Sequence, residues 1–240
     1  MAHRLVPPGW GGDSLSEFLE HAHNNRYASF VHKREWYGRL SEIDGCFATI
    51  SRDWMNPQNE ISAFLFIRAH GAYRAACGMA LAGQVVETFV LLRSTLEAAA
   101  YALHIHKNDE FASKWLKRHE DEDGMRLQKK AFEMRLVKQT IVTADRAAGL
   151  RFDALYQRTI DHGAHPNVFS IMGNALVAND ADGLTAQHVL LHGEGLALEH
   201  ALKSTAQVGI CALDVLQCAF GARFELLGIR HLMTELRRGL

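Results

Sequence analysis

The stretch that decides the fold is Val85 to His106, VVETFVLLRSTLEAAAYALHIH. It is apolar around most of its circumference, with Arg93, Glu97, Tyr101 and His104 as interruptions. A helix this apolar needs cover on several sides, which predicts the centre of an all-α protein, a multi-helix bundle. At about 100° per residue Arg93 and Glu97 stand one turn apart, and His104 falls about 20° short of two further turns, so the three share one face. Few polar residues remain to make that face wet. A cation and a carboxylate there form either a buried pair that sets helix register or the floor of a polar pocket. In the second case Arg93, Glu97, Tyr101 and His104 are binding residues.

Working backward, Glu60 to about Leu81 reads as a helix whose second half is a run of small residues, Ala75 to Gly83. Small side chains let a neighbour approach closely, so the spacing predicts an antiparallel hairpin with the Val85 helix through a turn at Gly83. Upstream, Trp36, Leu40, Ile43, Phe47, Ile50 and Trp54 recur at helical intervals and predict a helix from about Lys33 to Met55, broken at Asn56-Pro57. Residues 1–13, rich in Pro and Gly, read as a loose arm that ends at a helix cap, Asp13 or Ser14. A short amphipathic helix with Leu15, Phe18, Leu19 and Ala22 is expected to follow.

Working forward, the pattern predicts a charged helix from Asp109 to about Arg118 and a long outer helix from Met125 to about Thr143. A shorter helix from Phe152 to Thr159 is expected to stop before Gly163 and Pro166. Two short apolar runs between Val168 and Leu191 flank Asn179 to Gly183, which suggests a small β-hairpin near 170–190. A last long central helix is expected from Gly195 to about Phe220, and a basic tail helix from Phe224 to Arg238. With no internal repeat or low-complexity linker, residues 1–240 read as one helical domain.

Composition narrows the functions. A net charge of −1 gives no global field toward nucleic acid or anionic membrane. Four cysteines without CxxC spacing read as reduced core thiols of a cytoplasmic protein. No run of 18 uncharged apolar residues appears, so no membrane contact is expected. P-loop, GxSxG and GxGxxG motifs are missing, which sets aside the commonest kinase, hydrolase and dehydrogenase readings. Fourteen histidines make chance clusters certain. His188 and His192 have the i, i+4 spacing of a helical metal pair, with Glu199 and His200 following, but no HExxH frames them. No metal or other cofactor is assigned on that basis.

A second polar cluster, YQRTIDHGAHPN at 156–167, follows the outer helices. Together with LLRSTLEAAAYAL at 91–103 it resembles a group of uncharacterised bacterial helical proteins that carry an Arg-Ser-x-x-Glu helix and a later His-Pro. That resemblance implies a helical bundle in which Arg93, Glu97 and His165 converge, and it implies no activity. The cluster also resembles the ribonuclease members of the HEPN superfamily, which carry an arginine, four to six intervening residues and a histidine near a helix end. Arg158 and His165, with six residues between them, fit that pattern at its limit; Arg158 and His162, with three between them, do not. The resemblance implies metal-independent RNA cleavage across a dimer. Histidine would handle the proton of the 2′-hydroxyl and arginine would stabilise the phosphate. Thr159 departs from the family, where a more polar residue is usual. His165-Pro166 alternatively caps a helix C-terminus.

Three readings therefore stand. The first is a non-enzymatic binding or interaction protein, homodimeric, with a polar pocket at Arg93 and Glu97 that Tyr101, His104 and His162 would join. The second is a HEPN-like ribonuclease using Arg158 and His165, the only reading with RNA as partner. The third is a metal-dependent hydrolase built from histidines.

Overall fold

A computed structural model describes residues 6–166, 168–180 and 183–240. The hairpin at its centre is α3 (Glu60–Ala82) and α4 (Val85–His106). Gly83 closes it in a left-handed conformation, φ 78°, that glycine adopts without strain. A Cβ there would also stand 2.0 Å from the His192 carbonyl oxygen. The two helices pack along their length, and small residues are buried on each, Ala69, Ala72, Ala76 and Ala80 on α3 and Ala98, Ala99 and Ala102 on α4. Ser62 Oγ donates to the Ala102 carbonyl at 2.6 Å and fastens the open end.

The long helix α10 (Leu196–Leu226) packs across this hairpin and against α2 (Arg34–Ser51). Among the described residues it is the one helix long and apolar enough to span a membrane, yet 61% of its most apolar window is buried within the bundle. Gly209 is needed there, because a Cβ would fall 2.5 Å from the Tyr73 ring and 2.8 Å from Ile43. Helix α10 kinks at Phe220, where φ is −115° and ψ 30°.

The first helix, α1 (Ser14–His32), starts at Asp13, whose carboxylate accepts from the Leu15 and Ser16 amides. It is longer than its apolar spacing suggests, and Leu15 and Leu19 are exposed. Polar side chains dock it instead. Asn25, Arg26 and Ser29 donate to the Ala82, Gly78 and Leu81 carbonyls near the end of α3, two of which, Leu81 and Ala82, lie in the last turn, where the helix offers no i+4 amide. Residues 6–13 of the expected loose arm form hydrogen-bonded turns, with Trp10 Nε1 on Glu20 and the Gly11 amide on Ser16; residues 1–5 lie outside the described residues.

The outer layer departs most from expectation. Helix α5 (Asp109–Leu116) ends in a 3-10 turn, Lys117–His119. The single outer helix expected from Met125 is two helices, α6 (Glu122–Ala131) and α7 (Met134–Ala144). Glu133 is extended between them, at φ −53° and ψ 127°. That break lets Phe132, Val137 and Ile141 all reach the core while Leu127 stays outside, which a straight helix does not achieve.

Helix α8 (Arg146–Thr159) runs on through a π-helical turn, Ile160–Ala164, where Gly163 was expected to end it. The glycine serves a different end. A Cβ at Gly163 would stand 2.3 Å from the Val86 carbonyl oxygen, so its absence lets the π turn press against the start of α4. After the short α9 (Val168–Met172), strands β1 (Ala175–Asp180) and β2 (Gly183–His188) pair antiparallel, Ala175 opposite His188. The tip of this hairpin, Ala181 and Asp182, lies outside the described residues. Helix α11 (Ile229–Leu236) closes the bundle.

Candidate functional site

Arg93 is the hub of a group drawn from α4, α8 and the segment after the π turn. Its Nε donates to Glu97 Oε1 at 2.8 Å, one turn along α4, and Nη1 donates to His165 Nε2, also at 2.8 Å. The guanidinium lies over the Tyr156 ring, 5.2 Å from its centre. The Tyr156 hydroxyl donates to the same Glu97 oxygen at 2.9 Å. Lys138 from α7 covers the ring at 4.8 Å and pairs with Asp153.

This arrangement settles the protons. Because Nε2 of His165 accepts from arginine, the imidazole carries its proton on Nδ1. Burial and then the adjacent Glu97 carboxylate push the Tyr156 hydroxyl up to about 12, so it stays a donor. Burial disfavours the charge on Arg93, but Glu97 outweighs it and raises the guanidinium further. Glu97 is thus held by two donors, both at Oε1. The side chains of Arg93 and Glu97 keep 25% and 34% of their surface in solvent, so the pair is not buried as a register pin would be. His165 is exposed, in extended backbone before Pro166.

Arg158 is not in this group. Its Nη1 donates to Gln207 Oε1 on α10. Beside it, the His162 and His200 rings lie edge to face at 4.7 Å, and both lean on Phe89. Burial lowers the pKa of both imidazoles, and the nearby Arg158 charge lowers them further. Of the expected pair, Arg158 therefore turns to α10 while His165 turns to Arg93 on α4. The i→i+5 bonding of the π turn, followed by extended backbone, swings His165 off the face that Arg158 occupies.

His104 also leaves the expected stripe. It is 3% exposed, with Nε2 on the Ala131 carbonyl at 3.0 Å, Nδ1 on Thr140 at 2.7 Å and its ring stacked on Phe111. It borders a separate cavity of about 460 Å³ between α4, α5 and α7. Both its nitrogens are engaged, so it has none to offer there. Tyr101 packs edge to face on Phe132 at 5.0 Å, half-buried beside the Arg93 group. His188 ends β2 and His192 lies beyond it, with Nε2 on Asn174, so the two do not form a helical i, i+4 pair. Among the described residues no three His, Cys, Asp or Glu side chains group to hold a metal ion.

Three contributors escaped the sequence reading. Tyr156 and Lys138 come from helices whose own periodicity says nothing about α4, and Gln207 is a lone polar residue on a core helix. The only available signal was that Tyr156 falls one turn after Phe152, on the buried side of α8. Compared with protein-family models, characterised proteins and solved structures, the chain matches none.

Proposed function

We propose that the chain is a helical-bundle binding protein that recognises an oxyanion-bearing ligand at the Arg93 hub. One observation carries this reading. Of the groups around Arg93, Glu97 and Tyr156 are locked to each other, whereas His165 is exposed, lies on non-helical backbone and holds the guanidinium by a single hydrogen bond. A carboxylate or phosphate oxygen makes a stronger charge-assisted bond to arginine than a neutral imidazole does, so it displaces His165. The freed Nε2 then faces the ligand. The test is NMR observation of the His165 imidazole during titration with inorganic phosphate. A saturable shift that Arg93→Gln removes is expected; no saturable shift in the wild-type protein sinks the reading.

A second reading, the HEPN-like metal-independent ribonuclease, is favoured by the exposed histidine beside an arginine at the end of α8. Such chemistry needs a base for the 2′-hydroxyl and a cation for the phosphate. The arginine adjacent to His165 is Arg93, and Arg158 with His162 and His200 makes a second grouping. Cleavage of labelled mixed-sequence RNA in chelator separates the pairings. Loss in His165→Ala and Arg158→Ala supports the pairing read from sequence, and loss in His165→Ala and Arg93→Ala the adjacent one. No cleavage by the wild-type protein leaves the binding reading alone.

Four free thiols support a reducing compartment, which is the basis for placing the protein in the cytoplasm. The homodimer reading rests on Phe64, Ile67 and Val90, exposed on α3 and α4. Sedimentation equilibrium of wild type and Phe64→Glu tests it: a dimer that the charge dissociates is expected, and a wild-type monomer excludes it.

A further inference from the structure

A groove of about 450 Å³ opens at the far end of the bundle from the Arg93 group, between the turn after α2 and the kink of α10. Its volume lies in the ordinary range of small-molecule sites. Trp54 and Phe220 form its aromatic wall, edge to face at 4.8 Å, and the His106 ring meets Phe220 at 5.3 Å. Three further features separate it from a gap between helices.

The first is the backbone. Asp53 and Asn56, at φ 51° and 46°, hold left-handed conformations that Asp and Asn adopt more readily than other side-chain-bearing residues, and Phe220 leaves helical geometry on the opposite wall. The second is an unmet hydrogen bond, because His106 Nδ1 is buried without a partner. The third is charge. Arg223 is the one charged residue on the lining. It lies 5.4 Å from the Trp54 ring centre and bonds the Ile50 and Arg52 carbonyls rather than a carboxylate. Its positive charge is therefore not neutralised by the groove's own walls. A second cavity with arginines in its wall, at Arg151 and Arg237, contrasts with it: Asp214 binds both arginines, and the space is about 190 Å³.

We propose that this groove binds a small planar aromatic molecule bearing an acidic group, its ring against Trp54 and Phe220, its acid at Arg223. Aromatic faces favour a planar ring, and a guanidinium already stacked on an aromatic offers its remaining N–H groups to an oxyanion.

The experiment is isothermal titration of the full chain with 2-naphthoate, and with 2-naphthalenemethanol as the uncharged counterpart. Arg223 also holds the end of α2, so its replacement risks the fold. Ala222→Trp is used instead, because Ala222 lines the groove from an exposed position. One-to-one saturable binding of the acid is expected, weakened about tenfold or more in the alcohol and in Ala222→Trp, with the variant's thermal midpoint unchanged. Absence of saturable binding to the wild-type chain, or equal binding by Ala222→Trp, overturns the site. Equal affinity for acid and alcohol overturns the role of Arg223.

Discussion

Two groups in this molecule are built from an acid, an arginine and a histidine, and they differ in which residue stands at the centre. On α2 and α3 the hub is Asp44: His70 Nε2 donates to it at 2.6 Å, and Arg74 grips both oxygens at 2.7 and 3.0 Å. At the Arg93 group the hub is the cation, and the acid and the imidazole come to it. An acid at the centre is saturated by its donors. Burial pushes the Asp44 carboxyl up, but the bonds from Arg74 and His70 outweigh that and leave it below its ordinary value. His70, stacked on Phe47, is buried and neutral, since burial lowers its pKa more than Asp44 raises it. An arginine at the centre has five donors and no need of a fixed partner for each. The first group closes a helix pair; the second, on the proposed reading, exchanges His165 for a ligand.

The comparison is most easily broken at Asp44. Asp44→Ala leaves His70 buried without its acceptor, and a loss of ~2 kcal/mol is expected. Thermal denaturation should show it as a drop of about 4–8 °C in a chain of this size; an unchanged midpoint would mean that the acid is not the hub. Glu97→Gln keeps the shape but removes the charge that Arg93 and Tyr156 share. Because that pair is partly in solvent, about 1 kcal/mol is expected in urea denaturation, with a lowered Tyr156 pKa by ultraviolet titration. A larger loss than that of Asp44→Ala reverses the ranking.

Acidification acts on histidines that are wholly or partly buried. His70, His104 and His106 are held below their ordinary value of 6.5, with burial the leading cause at each. The unfolded chain then binds protons first as pH falls below 6.5, so stability is fully present above that value and declines through the window beneath it. Urea midpoints measured from pH 7.5 to 5 should fall, and His70→Gln should make the fall shallower; a flat profile removes the argument. The smallest effect is expected at the exchangeable partner. His165→Ala should change stability by no more than ~0.5 kcal/mol while altering phosphate binding at Arg93. A loss comparable to that of Asp44→Ala would make His165 a structural member instead.

Residues on α4 show how far the sequence could be read. Helical spacing puts Arg93, Glu97 and His104 on one face, and the Arg93–Glu97 bond forms as that spacing implies. His104 has the right direction but lies about 16 Å further along the axis. There the same face is covered by α5, α6 and α7 instead of α8. Periodicity reports the angle around a helix; it carries no information about what covers each level along it. The α6–α7 break and the π turn were illegible for a related reason. Both occur where a core contact, Phe132 inward or Gly163 against Val86, overrides the local pattern.

By itself, then, the sequence determined the helical class, the hairpin through Gly83, a cap at Asp13 or Ser14, the apolar centre in α4 and α10, and the Arg93–Glu97 pair. These depend on interactions within a few residues, where backbone geometry is nearly fixed. Only the tertiary structure decided that His165 meets Arg93 while Arg158 meets Gln207, that Tyr156 locks Glu97, and that Trp54, Phe220 and Arg223 share a groove. Those meetings join residues 49 to 173 positions apart, and they follow from how whole helices pack to fill one core.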